Sequence, residues 1–327
     1  MQYEKIDVYT RTELILRIKA LLDANGWQTY QKSEQTLYAS DCLGGGITLN
    51  FEAWHSDPNY GRSLRAGAYA CFSVDETKDY DKQEGNNEIA YFQFNQPNIN
   101  GAEFSGGYLF ADDKTLMIAL DIDPNKQVVI IFSYITKSHE FNGGRVCYAS
   151  ASYGNDKYYG KKTEDYKLSN QVPFGLSTNT QKTSVFIGEA WQDIDGVNTR
   201  FGDIRTDLRT SKILTNLMPK NLNYSSLNFN FLSSVSAYDF LDSKKAKSSF
   251  SGLQTMLTPN FFYKNNENHW VYAGALECVR VFNEYPNLYE NGTILHLGSE
   301  KFFTFRPHKN PGVNPPSSNY SMAVKIV

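Results

Sequence analysis

Apolar residues recur along this chain in two rhythms, one brief and one sustained. The brief one opens it: Leu14, Ile18, Leu21 and Leu22 fall at the spacing of one helix face, behind the capping-box pattern Thr10-Arg11-Thr12-Glu13. Gly26 stands where such a helix should stop, so the spacing predicts a helix over 12–24, and Trp27 begins the next element. A helix of this length is marginal alone, so its stripe must bury against the rest of the chain or against a neighbouring subunit.

From there the period is two. Ile47, Leu49 and Phe51 alternate with polar positions, and 66–74 and 88–95 read as further strands. The clearest stretch is a meander. Tyr108-Leu109-Phe110 runs into the turn Asp112-Asp113-Lys114, after which Leu116, Ile118, Leu120 and Ile122 share one face. Asp123-Pro124-Asn125-Lys126 turns the chain again before Val128, Ile130, Phe132 and Tyr134, and Asn142-Gly143-Gly144 leads into Val146, Tyr148 and Ser150. Four antiparallel strands are therefore expected in succession.

The polar, Tyr-rich segment 154–170 reads as a long exposed loop and a lobe boundary. Beyond it, 184–192 and 197–205 flank Asp195-Gly196, the strongest short hairpin signal in the chain. Phe229 and Phe231 continue the pattern, and 242–249 is a charged, Ser-rich connector. Strands are then expected over 261–264, 270–282, 293–298, 301–306 and 323–327. The expected fold is mainly β with some α, an antiparallel β-sandwich or meander body carrying one N-terminal amphipathic helix. Its parts are the helix (1–30), a β lobe with the meander (31–172) and a second β-rich lobe (173–327).

Composition agrees with a packed β protein. The 327 residues are 41% hydrophobic and 20% charged, which excludes disorder across the whole chain. They include 22 Tyr and 21 Phe, residues that favour pleated surfaces and interfaces. A net charge of −3 with no denser cluster than Lys244-Lys245 and nearby Lys247 leaves no electrostatic footprint for nucleic acid. The opening Met1-Gln2-Tyr3-Glu4-Lys5-Ile6-Asp7 lacks the apolar core of a signal peptide, and apolar runs such as 128–132 are too short to span a bilayer. The expectation is a soluble protein made in the cytoplasm, with no membrane partner. Cys42, Cys71, Cys147 and Cys278 are scattered, with neither Cys-x-x-Cys nor a partnered His spacing, so they read as structural thiols.

Motifs for chemistry are weak throughout, and no cofactor, metal or catalytic residue is expected. Gly154 and Gly160-Lys161-Lys162-Thr163 resemble a phosphate loop, but five residues separate the glycines where four are needed, and no apolar helix follows. Gly44-Gly45-Gly46 opens a strand, so it is a turn or bulge. There is no Gly-x-Ser-x-Gly and no His-Glu-x-x-His, and His55, His139, His269, His296 and His308 neighbour no nucleophile signature. The carboxylate pairs Asp121/Asp123 and Asp193/Asp195 sit at turns, where Asp caps its own backbone. Aromatic residues on polar stretches remain: Trp54, Tyr158, Tyr159, Tyr166 and Trp191. Packing or subunit contact is their commoner role, and stacking on sugar rings is the alternative.

Three segments carry a resemblance. The helix ending in Asp23-Ala24-Asn25-Gly26-Trp27, the strand pair 108–122 followed by 128–137, and the closing run 297–307 leading to 323–327 are similar to segments of virion structural proteins encoded in the tail modules of tailed bacteriophages. The insertions of the second half, 242–249 among them, depart from that pattern. The resemblance implies a non-enzymatic component of the virion, in the tail or baseplate and made in the host cytoplasm. Its partners would be other virion proteins and copies of itself in a symmetric assembly. A receptor- or carbohydrate-binding β module of the virion is the alternative, and a hydrolase on a β-sandwich is a third reading with no positive feature behind it.

Overall fold

The computed structural model describes residues 1–52, 64–94, 102–123, 126–150, 173–174, 182–194, 213–217, 256–267, 269–283, 292–305 and 320–326. As the alternation predicts, the chain is mainly β: the described residues form four antiparallel sheets and one helix near the N-terminus. It forms two compact units, Met1–Ser133 with Cys147–Lys167, and Tyr134–Val146 with Leu168–Val327. The partition expected from sequence, at 172/173, keeps 134–146 in the first lobe; contacts place it with the second unit.

The first unit begins with β1 (Gln2–Ile6) and α1 (Arg11–Ala24). Thr10 caps the helix, its hydroxyl oxygen accepting from the Glu13 N–H at 3.4 Å while its O–H donates to the Glu13 carboxylate at 2.7 Å. At the other end Gly26 takes φ +82°, which lets its N–H reach the Asp23 carbonyl and the Trp27 N–H reach that of Leu22. These two bonds are a Schellman closure. Leu14, Ile15, Ile18 and Leu22 are fully buried, against β2 (Gln28–Ser33), β3 (Thr36–Ser40) and other strands of the same unit. The helix therefore docks on its own chain.

With β4 (Gly46–Asn50), β5 (Leu64–Cys71) and β6 (Asn87–Phe94), these strands make a five-stranded sheet in the order β2-β3-β4-β5-β6. The loop over 72–86 is fixed by the buried Gln83, whose amide donates to the carbonyls of Asp75 and Asp79 and accepts from the Asp75 N–H. Tyr38 and Thr48 donate to the Lys78 and Tyr80 carbonyls of this loop. Burial pushes the Tyr38 phenol up to about 12.

The meander is built as expected from β7 (Gly106–Ala111), β8 (Leu116–Asp123) and β9 (Lys126–Tyr134), with β10 (Thr136–Lys137) and β11 (Gly143–Ala149) following. In the first unit β1 pairs with β7 at the edge, and the order continues β7-β8-β9. Residues 116–120 and 128–132 are buried without alternation, so both faces of β8 and β9 are covered. The seam between helix and meander is polar in one place: the Trp27 indole N–H donates to the Asp112 carbonyl at 2.7 Å. Trp27→Phe removes the indole N–H from that carbonyl and shrinks a buried ring, so a loss of at least roughly 1–2 kcal/mol is expected in urea unfolding. An unchanged midpoint would show that water satisfies the carbonyl equally well.

The second unit holds β12 (Lys182–Ile187), β13 (Ala190–Asp193), β14 (Ile213–Thr215), β15 (Asn260–Lys264), β16 (Trp270–Ala275), β17 (Val279–Asn283), β18 (Ile294–Leu297), β19 (Glu300–Phe305) and β20 (Tyr320–Lys325). One sheet runs β10-β16-β15-β14 and another β17-β20-β19-β18, the latter packed around Phe282, Phe302 and Ala323. Two sequence expectations change here. Residues 184–192 are two paired strands, turned at Gly188-Glu189 with Gly188 at φ +69°, the sign pattern of a type II′ hairpin. The run 270–282 is likewise broken, at 276–278. Asp195-Gly196, the loop 154–170, Phe229, Phe231 and the connector 242–249 lie outside the described residues.

Candidate aromatic contact surface

Of the aromatic residues singled out by sequence, Trp191 is the one the structure describes; Trp54, Tyr158, Tyr159 and Tyr166 lie outside the described residues. Trp191 sits on β13, directly across the hairpin from Phe186, with ring centroids 5.6 Å apart. Both are half-buried. Cross-strand aromatic pairs of this kind stabilise a hairpin and leave part of each ring to solvent.

Next to this hairpin lies a second group that sequence reasoning missed. Asn142 grips the Gly188 turn from both sides, its side-chain amide donating to the Gly188 carbonyl at 2.7 Å and its own carbonyl accepting from the Gly188 N–H at 2.9 Å. The loop leading to it, 138–142, carries His139 and Phe141, which meet Tyr263 of β15. The three ring centroids lie 5.5 to 6.1 Å from one another. Lys137 covers one side, its ammonium 4.9 Å from the Phe141 centroid and donating to the Phe141 carbonyl at 2.8 Å.

The loop is tied down by directional bonds. Ser138 donates its N–H to the Ala273 carbonyl and its hydroxyl to the Tyr272 carbonyl at 2.6 Å. His139 bonds Ser138 Oγ through Nδ1 at 3.0 Å and Tyr263 Oη through Nε2 at 3.1 Å. On the same sheet Lys264 stands 5.2 Å over Trp270, and Tyr272, 40% exposed, bonds Asn260. Burial, then the Glu277 charge, raise the Tyr272 phenol above its ordinary value. The second unit thus presents aromatic rings partly open to solvent, those of His139, Tyr263 and Tyr272 held by hydrogen bonds, with Lys137 against Phe141 and Lys264 against Trp270. Such a surface can bury flat apolar area against a partner at little cost in side-chain entropy.

Of the carboxylates weighed as cation ligands, Asp121 and Asp193 are engaged within the fold, and Asp195 lies outside the described residues. Asp121 accepts from the Gln127 amide at 2.8 Å, and Asp193 accepts from Ser184 and pairs with Lys182 at 3.6 Å. Among the described residues no group of three or more His, Cys, Asp or Glu side chains is placed to hold a metal ion, and no helix is long and apolar enough to cross a membrane. No disulfide links any two of the four cysteines, all of which are described. The class defined so far is a mainly β, antiparallel protein with an ordered aromatic surface. No family model matches the chain, and no curated protein matches it.

Proposed function

We propose that this chain is a non-enzymatic structural component of a tailed phage particle, in its tail or baseplate, and that it acts through subunit interfaces. The observation that carries the reading is the aromatic clustering of the second unit: the group His139, Phe141 and Tyr263, and the cross-strand pair Phe186 and Trp191. Aromatic anchors fixed before contact are what protein interfaces use for most of their binding energy. The resemblance of the helix-to-Trp27 segment, the meander and the closing strands to tail-module proteins supports a place in the virion. Its partners there are copies of itself and other virion proteins.

The test is to band intact particles on a density gradient and quantify this chain by mass spectrometry. The expected result is co-sedimentation in a fixed ratio, a multiple of three or six per particle, as closed tail symmetry demands. Absence from the particles overturns the proposal, and binding of the purified chain to a glycan array would then favour the carbohydrate-binding alternative.

A further inference from the structure

The hydrogen bonds around His139 fix where its protons are. Ser138 has one hydroxyl proton, and it is committed to the Tyr272 carbonyl at 2.6 Å. Ser138 Oγ can therefore only accept from His139 Nδ1, which must carry hydrogen. In the neutral ring Nε2 is then a bare acceptor, and the bond to Tyr263 at 3.1 Å requires the phenol to donate. The chain of donors runs one way, from Tyr263 through His139 and Ser138 to the Tyr272 carbonyl, an arrangement in which each bond polarises the next.

Protonation disturbs one link. Imidazolium donates from both nitrogens, so the Ser138 bond is untouched while the phenol oxygen must change from donor to acceptor. That change is a rotation of one hydroxyl hydrogen, with no ring displaced. The charged and titratable groups around the site are Lys137 of β10, packed on Phe141, Glu140 within the loop, Tyr263 of β15, and Tyr272 of β16, which contributes its carbonyl. The backbone ties from Ser138 to Ala273 and from Asn142 to Gly188 involve no titrating group.

We propose that Tyr263 is a proton-switched hydroxyl: it donates to His139 while the imidazole is neutral, and accepts from the imidazolium in acid, which turns its intact O–H away from the ring and leaves it available to donate to a contacting partner. The loop stays in place in both states, so the aromatic surface changes its hydrogen-bond polarity without changing its shape. The inference rests on geometry alone and holds whatever the surface contacts.

The experiment is ¹⁵N NMR of the histidine ring nitrogens in the full chain, with His139 assigned from the His139→Gln variant. While the ring is neutral, Nδ1 should read as protonated and Nε2 as bare. Ser138→Ala removes the Nδ1 acceptor and should move the population toward the Nε2–H tautomer. Once acid has charged the ring, both nitrogens should read as protonated, with the Ser138 and Asn142 amide shifts close to their neutral positions. A wild-type ring carrying its proton on Nε2 at high pH, a tautomer unmoved by Ser138→Ala, or a loop whose amides depart in acid would each overturn the proposal.

Discussion

Glu103→Ala is expected to destabilise the first unit by about 3–5 kcal/mol, the usual consequence of removing one partner of a buried ion pair. Arg11 and Glu103 leave only 10% and 7% of their side chains exposed, and their Nε and Oε1 atoms are 2.8 Å apart. The second carboxylate oxygen takes the Arg11 N–H at 2.7 Å, a donor at the first turn of α1 that has no partner inside the helix. The guanidinium also donates to the Phe51 carbonyl at 2.9 Å. Truncating Glu103 takes the carboxylate away from a buried guanidinium and from the Arg11 N–H at once. Glu103→Gln keeps an acceptor but loses the charge, so it should fall between wild type and Ala. Urea unfolding of the three proteins checks this order, and a Glu103→Ala midpoint within 1 kcal/mol of wild type would show that water enters and solvates Arg11.

The ion pair was not legible in the sequence, and the reason is general. Arg11 and Glu103 are 92 residues apart, and neither lies in a pattern that marks burial. What periodicity reveals is local: the helix, its Gly26 closure and the β7-β8-β9 meander all follow from residues within one or two turns or strands. The edges of the sheets carry no such signal. In β1 only Ile6 is buried, and β2 (Gln28–Ser33) has no apolar stripe, because an edge strand shares its burden with one neighbour and can be polar on most positions. Turns inside apolar runs are hidden too. The Gly188-Glu189 turn stands between Phe186 and Trp191, whose apolar character reads as one continuous strand.

The contact surface shows the same division. Trp191 could be named from sequence because aromatics on polar stretches are conspicuous, and its partner Phe186 is five residues away. His139, Phe141 and Tyr263 could not, since β10 and β16 bring together segments more than a hundred residues apart. The signal available in advance was faint: a Ser-His-x-Phe run beside the expected Asn-Gly-Gly turn.

Ile18→Asp should prevent the first unit from folding. Ile18 is fully buried in the middle of α1, where an ionised carboxylate would lose water and find no partner. The penalty of several kcal/mol adds to roughly 2 kcal/mol of apolar burial forfeited with the isoleucine, together comparable to the whole stability of an ordinary domain. Two controls separate burial from helix propensity. Ile18→Val should cost only about 0.5–1.5 kcal/mol, as the loss of one methylene in a packed site. Leu16→Asp places the same carboxylate on the exposed side of the same helix, at a position 48% open, and should stay within about 0.5 kcal/mol of wild type. Soluble yield and the thermal midpoint read all three. Were Ile18→Asp as soluble and as stable as Ile18→Val, the helix would be attached too loosely to exclude water. The docking of α1 on its own strands would then contribute nothing to the stability of the fold.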